Sequence, residues 1–312
     1  MNVIQILDGG FGSQISRRIN KSIDGDCLWS TRLLATNKTE VINTHLDFLN
    51  AGSTVICTNT YQASVDGFVK HLKLSEEQSY NLIKEAVKLL REAINIYKSK
   101  NVAGNRNILI AGSVGPYGAS LHDGSEYTGG YKDSVSRSTL KEWHKPRISA
   151  LLEEGVDLLA LETIPCQKEA EVLLSIVEEF PNAKAWLSFN CKDGKSLASG
   201  ENFQRAVEQC CKMTSDQLVA VGANCVAPAI VNELFFGINK ICSVPLIVYP
   251  NSGEFYCVET GWNGVENCQP LESYVETWLD MGVTWIGGCC RVYPDNIVKL
   301  RQAVKSWQAK HS

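Results

Sequence analysis

Eight short runs of apolar or β-branched residues recur along the chain, at Val3–Leu7, Thr54–Cys57, Ile108–Ala111, Leu158–Leu161, Ala185–Phe189, Leu218–Ala223, Leu246–Tyr249 and Thr284–Ile286. Runs that stay apolar without alternating suit strands covered on both faces. Helical patterns separate most of them. The clearest opens at the capping-box signature Ser75-Glu76-Glu77-Gln78 and sets Leu82, Ala86, Leu89, Leu90, Ala93, Ile94 and Tyr97 on one face. Further helices are expected at Leu140–Glu154, Glu169–Glu179, Phe203–Met213, Val231–Ile241, Leu271–Met281 and Asp295–Trp307, the last led by Pro294 in a favoured first-turn position. Apolar strands alternating with amphipathic helices indicate a parallel sheet, and eight such units in 312 residues fit a single α/β domain over 1–312, a (β/α)8 barrel. No Gly-, Pro- or Ser-rich linker divides the chain. The alternative is an open doubly wound sheet, which lacks the support of a G-x-G-x-x-G after the first run.

Charge narrows the partners. The formal net charge is −4 and Arg17-Arg18 is the densest basic spot, which argues against nucleic acid or an anionic membrane and for small molecules. Neither a secretory leader nor a membrane-spanning run is expected, so the protein reads as cytoplasmic, a monomer or weak homodimer. Twelve cysteines in such a chain are expected to be reduced thiols, not a disulfide framework.

In a barrel the reactive groups gather on the loops after the strands. Asp8-Gly9-Gly10, Asn59-Thr60-Tyr61-Gln62, Ser113-Val114-Gly115-Pro116, Glu162-Thr163, Phe189-Asn190, Asn224-Cys225, Tyr249-Pro250-Asn251 and Cys289-Cys290 follow the eight runs in turn. Neighbouring residues on a strand point to opposite faces, so Cys289 and Cys290 can share one metal only where the chain turns, as Gly287-Gly288 permits. With Cys225 they offer three thiolates to one zinc ion and leave a fourth position open, the pattern of a reactive site.

Several of these segments together resemble the homocysteine S-methyltransferases: Asp8-Gly9-Gly10, Leu28-Trp29-Ser30, Thr60-Tyr61-Gln62-Ala63-Ser64, Gly112 to Gly118, Asp123-Gly124-Ser125-Glu126-Tyr127, Glu162-Thr163-Ile164-Pro165, Tyr249 to Glu254, and the cysteine motifs. The resemblance spans essentially the whole chain and implies a zinc-dependent barrel, one Zn2+ per chain, that moves a methyl group from a sulfonium donor to L-homocysteine and yields methionine. It implies that Glu162 and Asp8 hold the substrate ammonium, with Gly9, Asn224 and Ser188 also contacting homocysteine, and that Trp29 and Tyr61 face the donor. Arg291 and Asn190 are expected to donate to sulfur or to the substrate carboxylate. The betaine-using branch carries a long C-terminal extension, which favours S-methylmethionine here, with S-adenosylmethionine as a substitute.

The residues themselves suit that chemistry. A zinc-bound thiol is a thiolate at neutral pH, and in-line attack on a methylsulfonium expels a neutral thioether, so no general acid is needed. Selenocysteine or another thiol as acceptor, a zinc hydrolase and a non-catalytic zinc or thiol binder of the same fold are the competing functions. The last is kept alive by Val292-Tyr293, where the family carries hydroxyl residues. Cys57, Cys166, Cys242 and Cys268 are expected to be small buried hydrophobes and Cys210-Cys211 inert helix positions. The five histidines show no metal-ligand spacing and are expected to be solvated or to cap helices. Asn37-Lys38-Thr39 matches a glycosylation acceptor that a cytosolic chain would not use.

Overall fold

The computed structural model describes residues 3–101, 106–213, 216–257 and 261–311. Its strands are β1 (Gln5–Ile6), β2 (Val55–Cys57), β3 (Leu109–Val114), β4 (Leu158–Ile164), β5 (Ala185–Phe189), β6 (Leu218–Asn224), β7 (Leu246–Tyr249), the hairpin strands β8 (Phe255–Cys257) and β9 (Gly261–Asn263), and β10 (Val283–Ile286). Eight of them form one parallel sheet in the order β1-β10-β7-β6-β5-β4-β3-β2. A parallel bridge from Leu7 to Val55 joins the two ends of that order, with Thr54 N donating to Ile6 O at 2.7 Å, so the sheet closes into a (β/α)8 barrel. Each of the eight apolar runs supplies one barrel strand. The antiparallel β8–β9 hairpin lies outside the barrel sheet.

Side-chain volume explains the closure. Inside the barrel, Leu7, Val55, Leu158 and Ile247 pack with Ala111, Ala160 and Ala220 around the buried Trp186. The three alanines make room for the indole, whose Nε1 donates to Tyr249 Oη at 2.9 Å. Large and small residues therefore share the layer, as a filled barrel interior requires. A larger apolar cluster, with Phe48, Leu90, Leu151, Leu173, Trp278 and Leu300 among its members, lies between the strands and the surrounding helices.

The helices at Glu76–Lys100, Arg137–Glu153, Gln167–Glu178, Phe203–Met213 and Pro294–Lys310 match the sequence periodicity closely, and the Ser75/Gln78 capping box forms. Two expected helices are shorter. The Val231–Ile241 segment is α-helical over Val231–Phe235 and resumes as a 3-10 turn at Ile238–Lys240 after Gly237 turns left-handed at φ 75°, and Leu271–Met281 begins as a 3-10 turn before Val275–Asp280. Helices Phe11–Ile19 and Val65–Leu72 are too short for a long periodic stripe, and the buried stripe of Lys38–Ala51 includes Thr44 and His45, so all three escape periodicity reading. Two of them carry local start signals: Asn37 Oδ1 caps Glu40 N, and Ser64 caps Gly67 N. The Asn37-Lys38-Thr39 acceptor pattern is thus a helix start.

Two expectations are corrected. Cys211 and Cys242 are joined by a disulfide with their Cα atoms 6.4 Å apart, so the cysteines are not all free thiols and Cys211 and Cys242 are not merely inert positions. Nor are all histidines solvated or capping. His45 and His144 are fully buried, and His144 Nε2 meets Glu169 Oε1 at 2.8 Å. Glu169 also accepts from Tyr117 N and Tyr131 Oη, while Arg147 beside His144 donates to Gly115 O, a buried network that fastens the loop after β3 to the helices behind it.

Candidate active site at the C-terminal mouth of the barrel

The loops after the strands frame a pocket whose wall includes Asp8, Trp29, Tyr61, Glu162, Cys225, Cys289 and Cys290. Cys225 leaves β6 in the left-handed region, at φ 53°, with its N–H bonded to Tyr249 O at 3.2 Å. That turn swings its thiol toward the pair after β10. Gly288 allows the tight bend before the pair, since a Cβ there would stand 2.1 Å from Val292 Cγ1. Neighbouring loops hold the pair in place: Cys289 N donates to Pro250 O at 2.7 Å, Cys290 N to Asn251 Oδ1 at 3.2 Å and Arg291 N to Ser13 Oγ at 3.0 Å.

The three sulfurs lie within 4.8 Å of one another, and those of Cys225 and Cys290 are 3.8 Å apart. Zinc–sulfur bonds of about 2.3 Å in a tetrahedron put sulfurs about 3.8 Å apart, so the cluster fits such an ion. Contact with Cys225, opposed by that with Cys290, and then burial hold the Cys289 thiol well above its ordinary range. A cation is therefore what this trio needs to ionise. Asn224 supports it from below: Oδ1 accepts from Thr163 N at 2.7 Å and from Ser188 Oγ at 2.8 Å, and Nδ2 lies 3.9 Å from Cys289 Sγ.

Non-glycine residues with positive φ gather at this mouth. Trp29 (46°), Thr163 (61°), Cys225 (53°) and Arg291 (63°) all occupy the left-handed region, at a cost of order 1 kcal/mol each. The strain re-aims residues next to, or among, the pocket-lining groups.

The acidic half of the pocket is made by Asp8 and Glu162, both buried. Asp8 Oδ2 accepts from Cys57 N at 2.9 Å and Glu162 accepts from Ser113 Oγ. Burial, aided by the charge of Glu162, pushes Asp8 up to about 8, and burial pushes Glu162 up to about 7. Neither carboxylate has a basic partner among the described residues. On the other side the Trp29 and Tyr61 rings meet edge-on with centroids 6.1 Å apart, Trp29 lying against Gly12, where a Cβ would be 2.3 Å from the indole. Tyr127 Oη lies 3.9 Å from Cys225 Sγ. The helix Phe11–Ile19 starts on the pocket wall without a side-chain cap, so its first N–H groups face the space.

Several sequence expectations change here. Ser188 and Asn224 are buried beneath the pocket and off its wall, with Ser188 Oγ also 2.5 Å from Tyr249 Oη, so they position other groups. Arg291 is already spent on Glu254, with Nε to Oε2 at 2.8 Å and Nη2 to Oε1 at 3.2 Å, and is not free for a substrate carboxylate. Asn190 Nδ2 donates to Cys225 O at 3.0 Å, a backbone contact that supports the strained turn. Gly9 stays on the pocket wall, and its missing side chain also serves close packing, since a Cβ would meet Val292 O at 2.4 Å. Val292 is buried under Gly288, and Tyr293 Oη accepts from Arg291 Nη1 at 3.0 Å, so hydroxyl loss at 292 is filled by packing. Cys57 packs against the inner apolar cluster as expected and also lines the pocket, and Tyr127 was not singled out by its motif alone.

A profile of homocysteine S-methyltransferases matches residues 5–304. The chain belongs to that family. It is 45% identical over 319 residues to a betaine-homocysteine S-methyltransferase of Drosophila melanogaster, covering 98% of this chain and 96% of that one. It is 38% identical to the homocysteine S-methyltransferase of Escherichia coli, covering 96% and 94% of the two chains. At 38% identity it also resembles a selenocysteine Se-methyltransferase of Brassica oleracea, over 96% and 89%. Among solved structures, the metallated form of the Escherichia coli homocysteine methyltransferase MmuM superposes with a TM-score of 0.85 at 35% identity, covering 96% of each chain. This methyltransferase therefore has a relative of nearly equal length that is named for betaine, and chain length does not separate the donors.

Proposed function

We propose that this methyltransferase moves a methyl group from a sulfonium donor, S-methylmethionine or in its place S-adenosylmethionine, to the thiol of L-homocysteine, giving methionine, with zinc held by Cys225, Cys289 and Cys290. The observation that carries the reading is two buried carboxylates without a basic partner among the described residues, Asp8 and Glu162, on the same pocket wall as three clustered thiols. A ligand that brings both a thiol and an ammonium satisfies both halves at once. Zinc bound to the three sulfurs would supply the charge that keeps the acceptor sulfur ionised at neutral pH.

The remaining roles belong to the chain. Asp8 and Glu162 take the ammonium, and in doing so exchange an unfavourable buried charge for a paired one. The uncapped start of Phe11–Ile19 offers N–H groups and a positive dipole end to the carboxylate. Trp29 and Tyr61 present aromatic faces to the donor cation. The methyl carbon exchanges its bond to the donor sulfur for one to the homocysteine sulfur, and the donor's electron pair leaves with a neutral thioether. No proton is delivered, which fits a pocket wall with no histidine among the described residues.

Glu126 bears on the donor. Its Oε2 is buried without a hydrogen-bond partner among the described residues, and after burial its charge is the main influence raising the Tyr61 phenol. A third unneutralised carboxylate beside the aromatic wall suits a donor that carries a hydrogen-bonding primary ammonium apart from its reacting onium centre, as S-methylmethionine does and betaine does not. The Drosophila relative favours betaine as the second reading. The test is methionine formation from homocysteine by reduced, zinc-loaded enzyme with S-methylmethionine, S-adenosylmethionine or betaine, and with selenocysteine as a rival acceptor. Turnover with S-methylmethionine exceeding that with betaine is expected; betaine alone supporting turnover would transfer the donor assignment to it.

A further inference from the structure

A second group of metal-ligating side chains stands apart from the three active-site thiols. Cys27, His71 and His122 each offer one ligand atom, and these atoms lie within 4.8 Å of one another. They come from three separated pieces of chain: the turn that precedes Trp29, the last turn of helix Val65–Leu72, and the loop after the 3-10 turn Tyr117–Ser120. None of the three side chains makes a hydrogen bond or ion pair among the described residues. The two imidazole rings meet edge to face with centroids 6.0 Å apart, and His122 is held at φ 59°, a left-handed backbone that a histidine adopts at a cost.

We propose that Cys27, His71 and His122 form a second metal site, for zinc or a similar borderline divalent ion, that ties together the two loops carrying Trp29 and Tyr127. One thiolate and two imidazoles are a donor set such ions prefer over magnesium or calcium, which seek oxygen. Tetrahedral zinc places N and S ligand atoms about 3.3–3.8 Å apart, so closing a 4.8 Å cluster needs side-chain shifts of about 1 Å. Nearby charge does not bar the ion. The adjacent Arg32 guanidinium is engaged by Asp26, Nε to Oδ2 at 2.5 Å, and Lys70 is the other cation near His71. With three protein ligands, water completes the shell.

The consequence lies in chain connectivity. Cys27 is two residues before Trp29 and His122 five before Tyr127, and both aromatics line the active-site pocket. Their loops share no strand, so a metal across them would clamp the mouth on the donor side without touching the reacting atoms.

The test counts zinc by mass spectrometry in the full-length protein after loading and removal of excess metal. Two ions per chain are expected in wild type, one in His71→Gln/His122→Gln, and one in the Cys225→Ser/Cys289→Ser/Cys290→Ser variant. Cobalt loaded into that triple variant should show a thiolate charge-transfer band that Cys27→Ala abolishes. Circular dichroism identifies any variant that does not fold, and the intact wild type then decides alone. One ion per wild-type chain, or a double-histidine variant that still holds two, overturns the proposal.

Discussion

Replacing Glu162 by Gln keeps the side-chain shape and an acceptor for Ser113 Oγ while removing one charge from the acidic half of the pocket. Burial raises this carboxyl from its ordinary 4.5 to about 7, which corresponds to about 3 kcal/mol of penalty on the ionised form. The folded-state value lies above the unfolded one. The group therefore costs nothing below pH 4.5, and stability is lost as pH rises from 4.5 to about 7, remaining reduced above it. In urea unfolding, Glu162→Gln should match wild type at pH 4.5 and exceed it by up to about 3 kcal/mol at pH 8. Binding should move the other way. A hydrogen bond to a charged group contributes about 1.5–3 kcal/mol, so calorimetry at pH 8 should show homocysteine bound roughly 10- to 150-fold more weakly by the variant. Wild-type affinity should also fall below pH 7 as the carboxyl protonates. A variant that binds homocysteine as tightly as wild type, or that gains no stability at pH 8, would refute the role of Glu162 as an unneutralised ammonium acceptor.

Three further outcomes are expected. Asn224→Ala strands the buried Thr163 N–H and leaves the Ser188 hydroxyl with Tyr249 Oη alone, so it should destabilise by about 1–3 kcal/mol in urea and weaken zinc binding about 10- to 100-fold, measured by competition with a chelator. Gly10→Ala would set a Cβ 2.5 Å from Cys289 O, and should depress zinc affinity and methionine formation at least tenfold while circular dichroism stays unchanged. Cys242→Ser opens the link to Cys211 across 31 residues of sequence and should cost about 3–4 kcal/mol of stability, with added reductant then no longer lowering the melting temperature.

The barrel was legible because its signals are local and repeated. Each apolar run supplies a strand, fully buried at β4, β5 and β7, and Ser75 and Gln78 announce their own helix within four residues. Cys225, Cys289 and Cys290 could be grouped because strand-end loops of a barrel converge by geometry, so three positions far apart in sequence share one mouth. What sequence could not show depends on pairing across space. Arg291 looks available until Glu254 is seen against it, and Ser188 looks like a ligand contact until Tyr249 and Asn224 are seen to occupy it. Cys27, His71 and His122 show no spacing as letters, since the turn, helix end and loop that unite them are placed by packing and not by chain distance. The Cys211–Cys242 link was hidden for the same reason, because a pair 31 residues apart has no local signature.

The central claim is that homocysteine sulfur reaches the metal held by Cys225, Cys289 and Cys290. Selenium-edge X-ray absorption on zinc-loaded enzyme with L-selenohomocysteine tests it directly, because only the ligand's selenium is excited and metal at other sites is silent. A zinc neighbour at bonding distance from selenium, lost in Cys290→Ser, is the predicted result. A selenium spectrum without a metal neighbour, from protein shown to bind the ligand and to hold zinc at these cysteines, would contradict the account.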